Sequence, residues 1–127
     1  MTDTTGKPRA LLALHHEKNL ETASFFLEEY GYEITATQKR GEFLKRVREN
    51  KFDVYIWDAN LGSPASMDLS VTKEVWSLLK ERYRRGEIKI RAVSNTPEAV
   101  RQVQREGIPA EYTVGLCMKE FAYFKRE

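Results

Sequence analysis

Apolar positions along this chain switch between unbroken runs and three- or four-residue spacing, and each switch marks a change of element. Residues 1–8 are polar and end in Lys7 and Pro8, which reads as a flexible leader ahead of a domain over 9–127. Ala10-Leu11-Leu12-Ala13-Leu14 is an apolar run of the length of a buried strand. Leu20, Ala23, Phe26, Leu27 and Tyr30 then recur at helical spacing, with Asn19 as the predicted cap and Gly31 as the left-handed stop. Tyr32 to Thr37 is aromatic and β-branched, hence a second strand. Gly41 to Asn50 follows as a helix with Phe43, Leu44 and Val47 on one face.

The alternation continues. Val54-Tyr55-Ile56-Trp57 is an apolar, strand-favouring run that ends at Asp58, and Gly62, Ser63 and Pro64 make Ala59 to Met67 a loop. A third helix is predicted to start near Asp68 or Ser70, to face Val71, Val75, Leu78, Leu79 and Tyr83 inward, and to stop at Gly86. Arg82, Arg84 and Arg85 then lie near its negative end. Ile88 to Val93 forms the fourth strand, and Thr96-Pro97 opens a helix that reaches Glu106 and closes at Gly107. Tyr112-Thr113-Val114 is the predicted fifth strand, and Met118 to Glu127, with Phe121 and Phe124 on one face, the last helix. Five strands alternating with helices predict a parallel sheet covered on both faces, because parallel neighbours require right-handed crossovers. Ligands of such sheets bind beyond the carboxyl ends of the strands, which directs attention to His15, His16, Asp58, Ser94, Asn95 and Gly115.

Composition narrows the class. With 127 residues, 41% hydrophobic and 31% charged, the chain suits one globular domain that needs no disulfide. Its lone cysteine, Cys117, offers no disulfide partner and no metal-ligand spacing, which fits a reducing cytoplasm. No apolar run approaches the length of a membrane span. The net charge is only +2, and Lys80, Arg82, Arg84, Arg85, Lys89, Arg91, Arg101 and Arg105 are interleaved with Glu81, Glu87, Glu98 and Glu106. Mixed charges of this kind predict a solvated face rather than a nucleic-acid footprint.

The segment Asp53-Val54-Tyr55-Ile56-Trp57-Asp58-Ala59-Asn60-Leu61 resembles the phosphorylation-site strand of response-regulator receiver domains, the CheY-like family. Ala92-Val93-Ser94-Asn95 is similar to that family's strand ending in a phosphoryl-binding hydroxyl, and the likeness in layout runs from Arg9 onward. The resemblance implies an αβα sandwich of the flavodoxin-like class, with a five-stranded parallel sheet in the order 2-1-3-4-5. It also implies that Asp58 is the phosphoacceptor equivalent, Ser94 the hydroxyl and Tyr112 the switch aromatic.

The departures fall on the chemistry. In the family, two carboxylates after the first strand join the phosphoacceptor and the backbone carbonyl two residues beyond it, here that of Asn60, in holding Mg²⁺. His15 and His16 stand in the place of those carboxylates, and imidazole nitrogen is a poor ligand for so hard an ion. Gly115 stands where the family has a phosphoryl-pairing lysine, and Leu116 replaces the proline after it. Phosphoryl transfer depends on positioning and on neutralising the charge of the equatorial oxygens, so both losses remove catalytic means. The stretch Gly62 to Asp68 is longer than the family's loop there and is a candidate partner surface.

The expectation is therefore a non-enzymatic pseudo-receiver without a cofactor, binding Mg²⁺ weakly or not at all. It would dock to protein partners such as a histidine kinase or an output protein, or to a second copy, through the fourth and fifth β/α units. Three alternatives remain open from the residues: a receiver whose Asp58 still takes up phosphate, a transition-metal site at His15, His16 and Asp58, and a haloacid-dehalogenase-like phosphatase. The last lacks the carboxylate that such chemistry wants two residues after the nucleophile, since position 60 is asparagine.

Overall fold

The computed structural model of the chain describes residues 7–61 and 68–112. Nine elements follow in order: β1 (Arg9–Ala13), α1 (Glu17–Glu29), β2 (Glu33–Thr37), α2 (Arg40–Arg48), β3 (Val54–Asp58), α3 (Ser70–Arg84), β4 (Lys89–Ser94), α4 (Pro97–Arg105) and β5 (Ala110–Tyr112). The strands form one sheet in the order β2-β1-β3-β4-β5, and every pairing is parallel. This is the predicted flavodoxin-like order. It reverses direction between β1 and β3, and the residues at or just beyond their carboxyl ends, His15 and Asp58 among them, stand at this switch point.

Side-chain alternation divides the core into two layers, because successive residues of a strand face opposite sides of the sheet. Ala10, Leu12, Leu14, Val54 and Ile56 pack on Ala23 and Leu27 of α1. Leu11, Ala13, Tyr55, Trp57, Ile90 and Ala92 face α2, α3 and α4 through Phe43, Val47, Val71, Val75, Leu79, Val100 and Val103. The strands are apolar on both faces because both are covered. Trp57 and Phe43 are fully buried, with rings tilted at 32° and centroids 5.9 Å apart. Each such side chain contributes about 1.5–3 kcal/mol by leaving water.

Several local expectations are corrected. Asn19 does not cap α1: the helix begins at Glu17, His16 is the N-cap in extended conformation, and no side chain caps it. Leu78 is not inward but 45% exposed. Each four-residue step turns a helical stripe by about 40°, so Val71, Val75 and Leu79 sweep the buried line round the axis and leave Leu78 beside it. Strand β5 starts at Ala110, two residues earlier than expected, because Ala110 is buried and pairs with Ala92 while Tyr112 pairs with Ser94. Thr96 does precede Pro97 at the start of α4 but makes no capping bond; its N–H donates instead to Ser94 Oγ at 3.0 Å. Asn50, predicted as the last residue of α2, lies beyond it at φ 59°, a left-handed conformation that asparagine tolerates. The predicted Thr113, Val114, the last helix (118–127), Gly115, Leu116, Cys117 and the loop 62–67 lie outside the described residues.

Candidate functional site

The site is built at the switch point, where β1 and β3 end side by side. Ala13 pairs with Trp57, so the residues that follow each strand leave the sheet together. The backbone N–H of His15 donates to Asp58 Oδ2 at 2.5 Å, and His15 Nδ1 lies 3.3 Å from the same oxygen. The His15 carbonyl, in the following peptide unit, accepts from Gln38 Nε2 at 2.7 Å, so His15 is held by β2's exit as well as by β1's. Both side chains of the pair are largely buried, at 15% and 16% exposure. His16 faces solvent and leads into α1.

Burial dominates the electrostatics of Asp58. Removal from water pushes its carboxyl above the ordinary value of 3.8, against the smaller downward pulls of the His15 N–H and of the His15 and His16 side chains. Among the described residues, lysine and arginine do not figure in those pulls.

The remaining predicted residues gather at the same end of the sheet. Asp58 pairs with Val93, one residue before Ser94, which is 3% exposed and accepts the Thr96 N–H. Asn95 is exposed on the turn into α4, and Asn60 is half-buried two residues beyond Asp58. Tyr112 stands across from Ser94 in register. Gly115, where the lysine question lies, is outside the described residues. Among those described, no group of three or more His, Cys, Asp or Glu side chains is arranged to hold a metal ion.

Ala59 to Leu61, directly after Asp58, are tightly held. Ala59 N–H donates to the Val93 carbonyl at 2.8 Å, and Leu61 N–H to the Asp58 carbonyl at 3.0 Å. The Ala59 carbonyl accepts from Thr72 Oγ1 at 2.7 Å, and that oxygen accepts in turn from Trp57 Nε1–H at 2.9 Å. Along the chain Trp57 reads only as the end of an apolar strand run, and Thr72 draws no notice. The available signals were a hydroxyl interrupting the buried stripe of α3 and a buried indole that must find an acceptor.

Comparison with solved structures decides the fold family. The receiver domain (CheY-like) from Methylobacillus flagellatus superposes with a TM-score of 0.71 at 17% identity, over 93% of this chain and 95% of that one. The architecture is that of a receiver domain. The non-phosphorylated HemR receiver domain of Leptospira biflexa gives 0.69 at 20% identity over 92% and 90% of the two chains. Vibrio cholerae chemotaxis protein CheY4 gives 0.68 at 18% over 93% and 95%. No family model matches the sequence, and no curated protein does. At such low identity the receiver fold is what these neighbours establish; the pocket has to be read from this chain's own residues.

Proposed function

We propose that this chain is a pseudo-receiver, a signalling module that acts by docking to protein partners and does not itself carry out phosphoryl transfer. The observation that carries the reading is the His15–Asp58 contact. In a receiver pocket the acceptor carboxylate must share its oxygens with a divalent cation and present them to a phosphodonor. Here Oδ2 is taken by a backbone N–H at 2.5 Å and has an imidazole nitrogen 3.3 Å away. A donor set of one carboxylate, a backbone carbonyl and imidazole does not suit Mg²⁺, which wants hard oxygen ligands in a near-octahedral shell. Mg²⁺ binding is therefore weak or absent, and no step of the function runs through it.

Burial raises the Asp58 carboxyl, so the protein keeps an acceptor-like side chain in an environment that disfavours its charge. Adding a phosphoryl dianion there without a compensating cation would cost more still. The module is then a scaffold whose fourth and fifth β/α units meet a kinase, an output protein or a second copy of the chain, in the cytoplasm.

Titration with Mg²⁺ and beryllofluoride, a mimic of the phosphoryl group, tests this reading through backbone amide shifts. A folded spectrum with no saturable change at Ala59, Asn60 or Ser94 is expected. Saturable, Mg²⁺-dependent shifts there would establish the competing reading, a working phosphorylation switch.

A further inference from the structure

Thr72 is the third residue of α3, 1% exposed, and sits among Val71, Val75 and Leu79. Valine has nearly its shape, so packing alone does not call for a hydroxyl at this place. A hydroxyl carries one proton and two lone pairs, and both capacities are used: it accepts from the Trp57 indole at 2.9 Å and donates to the Ala59 carbonyl at 2.7 Å. The direction of this relay is fixed, because the indole only donates and the carbonyl only accepts. Ala59 is also tied to β4 through its N–H. The peptide units on either side of Ala59 are thus pinned, one to β4 and one to α3, immediately after Asp58. Thr72 in addition lines a groove of about 200 Å³ between α3 and α4, together with Leu69, Val103 and Ile108.

We propose that Thr72 is a positioning residue that couples the α3–α4 groove to the Asp58 loop: displacement of α3 shifts the Ala59 carbonyl and with it Asp58, and a change at Asp58 is felt at Thr72 and Trp57. Coupling of this kind is reciprocal by thermodynamic necessity. The inference rests on the reading of the chain as a signalling module of receiver type, but not on whether Asp58 takes up phosphate.

The two tryptophans give the test. Trp57 is in the relay, whereas Trp76 packs against Tyr83 farther along α3, with ring centroids 5.8 Å apart. In ¹⁵N-labelled protein, Asp58→Asn is expected to move the Trp57 indole resonance and to leave that of Trp76 in place. In a Thr72→Val background the same change at Asp58 should no longer move the Trp57 resonance, and its indole N–H should exchange about tenfold faster or more. Thr72→Ser, which keeps the hydroxyl, restores the response. The proposal is overturned if Asp58→Asn moves the Trp57 indole equally with threonine or valine at 72, or moves both indoles alike, or neither. The last two outcomes are read in the Thr72 background, so they stand even if Thr72→Val does not fold. No phosphoryl mimic is used, so a saturable beryllofluoride response would overturn the pseudo-receiver reading and leave this test intact.

Discussion

The two ends of the sheet treat charge in opposite ways. At the amino end, Arg9 N–H donates to Asp53 Oδ2 at 2.9 Å, the Arg9 guanidinium reaches Glu33 at 3.3 Å, and its central carbon lies over the Phe52 ring, 5.2 Å from the centroid. Arg82 gathers the Asn50 side chain, the Phe52 carbonyl at 3.2 Å, the Tyr55 hydroxyl at 3.4 Å and Glu87 at 3.6 Å. At the carboxyl end, Asp58 is more deeply placed and meets a backbone N–H and an imidazole. The amino end uses charge to tie helices to strands, and the carboxyl end keeps a carboxylate that burial disfavours. Strain of the second kind persists when something other than stability retains the residue. This contrast is what makes the carboxyl end the candidate site.

Substitutions should separate the ends by sign as well as by size. The largest effect belongs to Arg82→Ala, which strips partners from Phe52, Asn50 and Tyr55 together. It should cost about 2–3 kcal/mol in denaturant unfolding, since hydrogen bonds to a charged group are worth about that much. A loss under about 0.5 kcal/mol would show that the amino end is not a structural clamp.

Asp58→Asn should act in the opposite direction, raising stability at neutral pH by on the order of 1 kcal/mol, because an amide can still accept the His15 N–H and carries no charge to desolvate. Its pH dependence follows from linkage. The Asp58 carboxyl is raised in the folded state, so between its unfolded and folded values the native protein holds more protons than the unfolded chain. Stability therefore falls as pH rises through that window. The advantage of Asp58→Asn over wild type should be small in acid, grow through the window and level off above it. An advantage that shrinks as pH rises would reverse the assignment.

The smallest effect is expected from Glu33→Gln. Its pair with Arg9 is half-exposed, so the change should cost only a few tenths of a kcal/mol and vanish at high salt.

Much of this was legible in the residues. Strand runs of the form Leu11-Leu12-Ala13 and Tyr55-Ile56-Trp57 are apolar on both faces only in a sheet covered on both sides, and Gly31, Gly86 and Gly107 end their helices at positive φ as expected. From the order of elements came the switch point, and from the switch point came Asp58 and His15. What escaped depended on tertiary approach. The swing of the α3 stripe past Leu78, the use of Ser94 rather than Thr96 to meet the first N–H of α4's entry, and the Trp57–Thr72–Ala59 relay each require knowing where α3 or α4 settles on the sheet. Spacing along the chain does not carry that information.

What decides the reading is whether Asp58 is a buried carboxylate satisfied by His15 or a ligand to a metal. Titration of its side-chain carboxyl carbon by NMR, with and without Mg²⁺, measures this directly. A midpoint above the ordinary aspartate range that Mg²⁺ leaves unmoved is expected. A midpoint at or below that range, or one that Mg²⁺ drives downward, would contradict the reading.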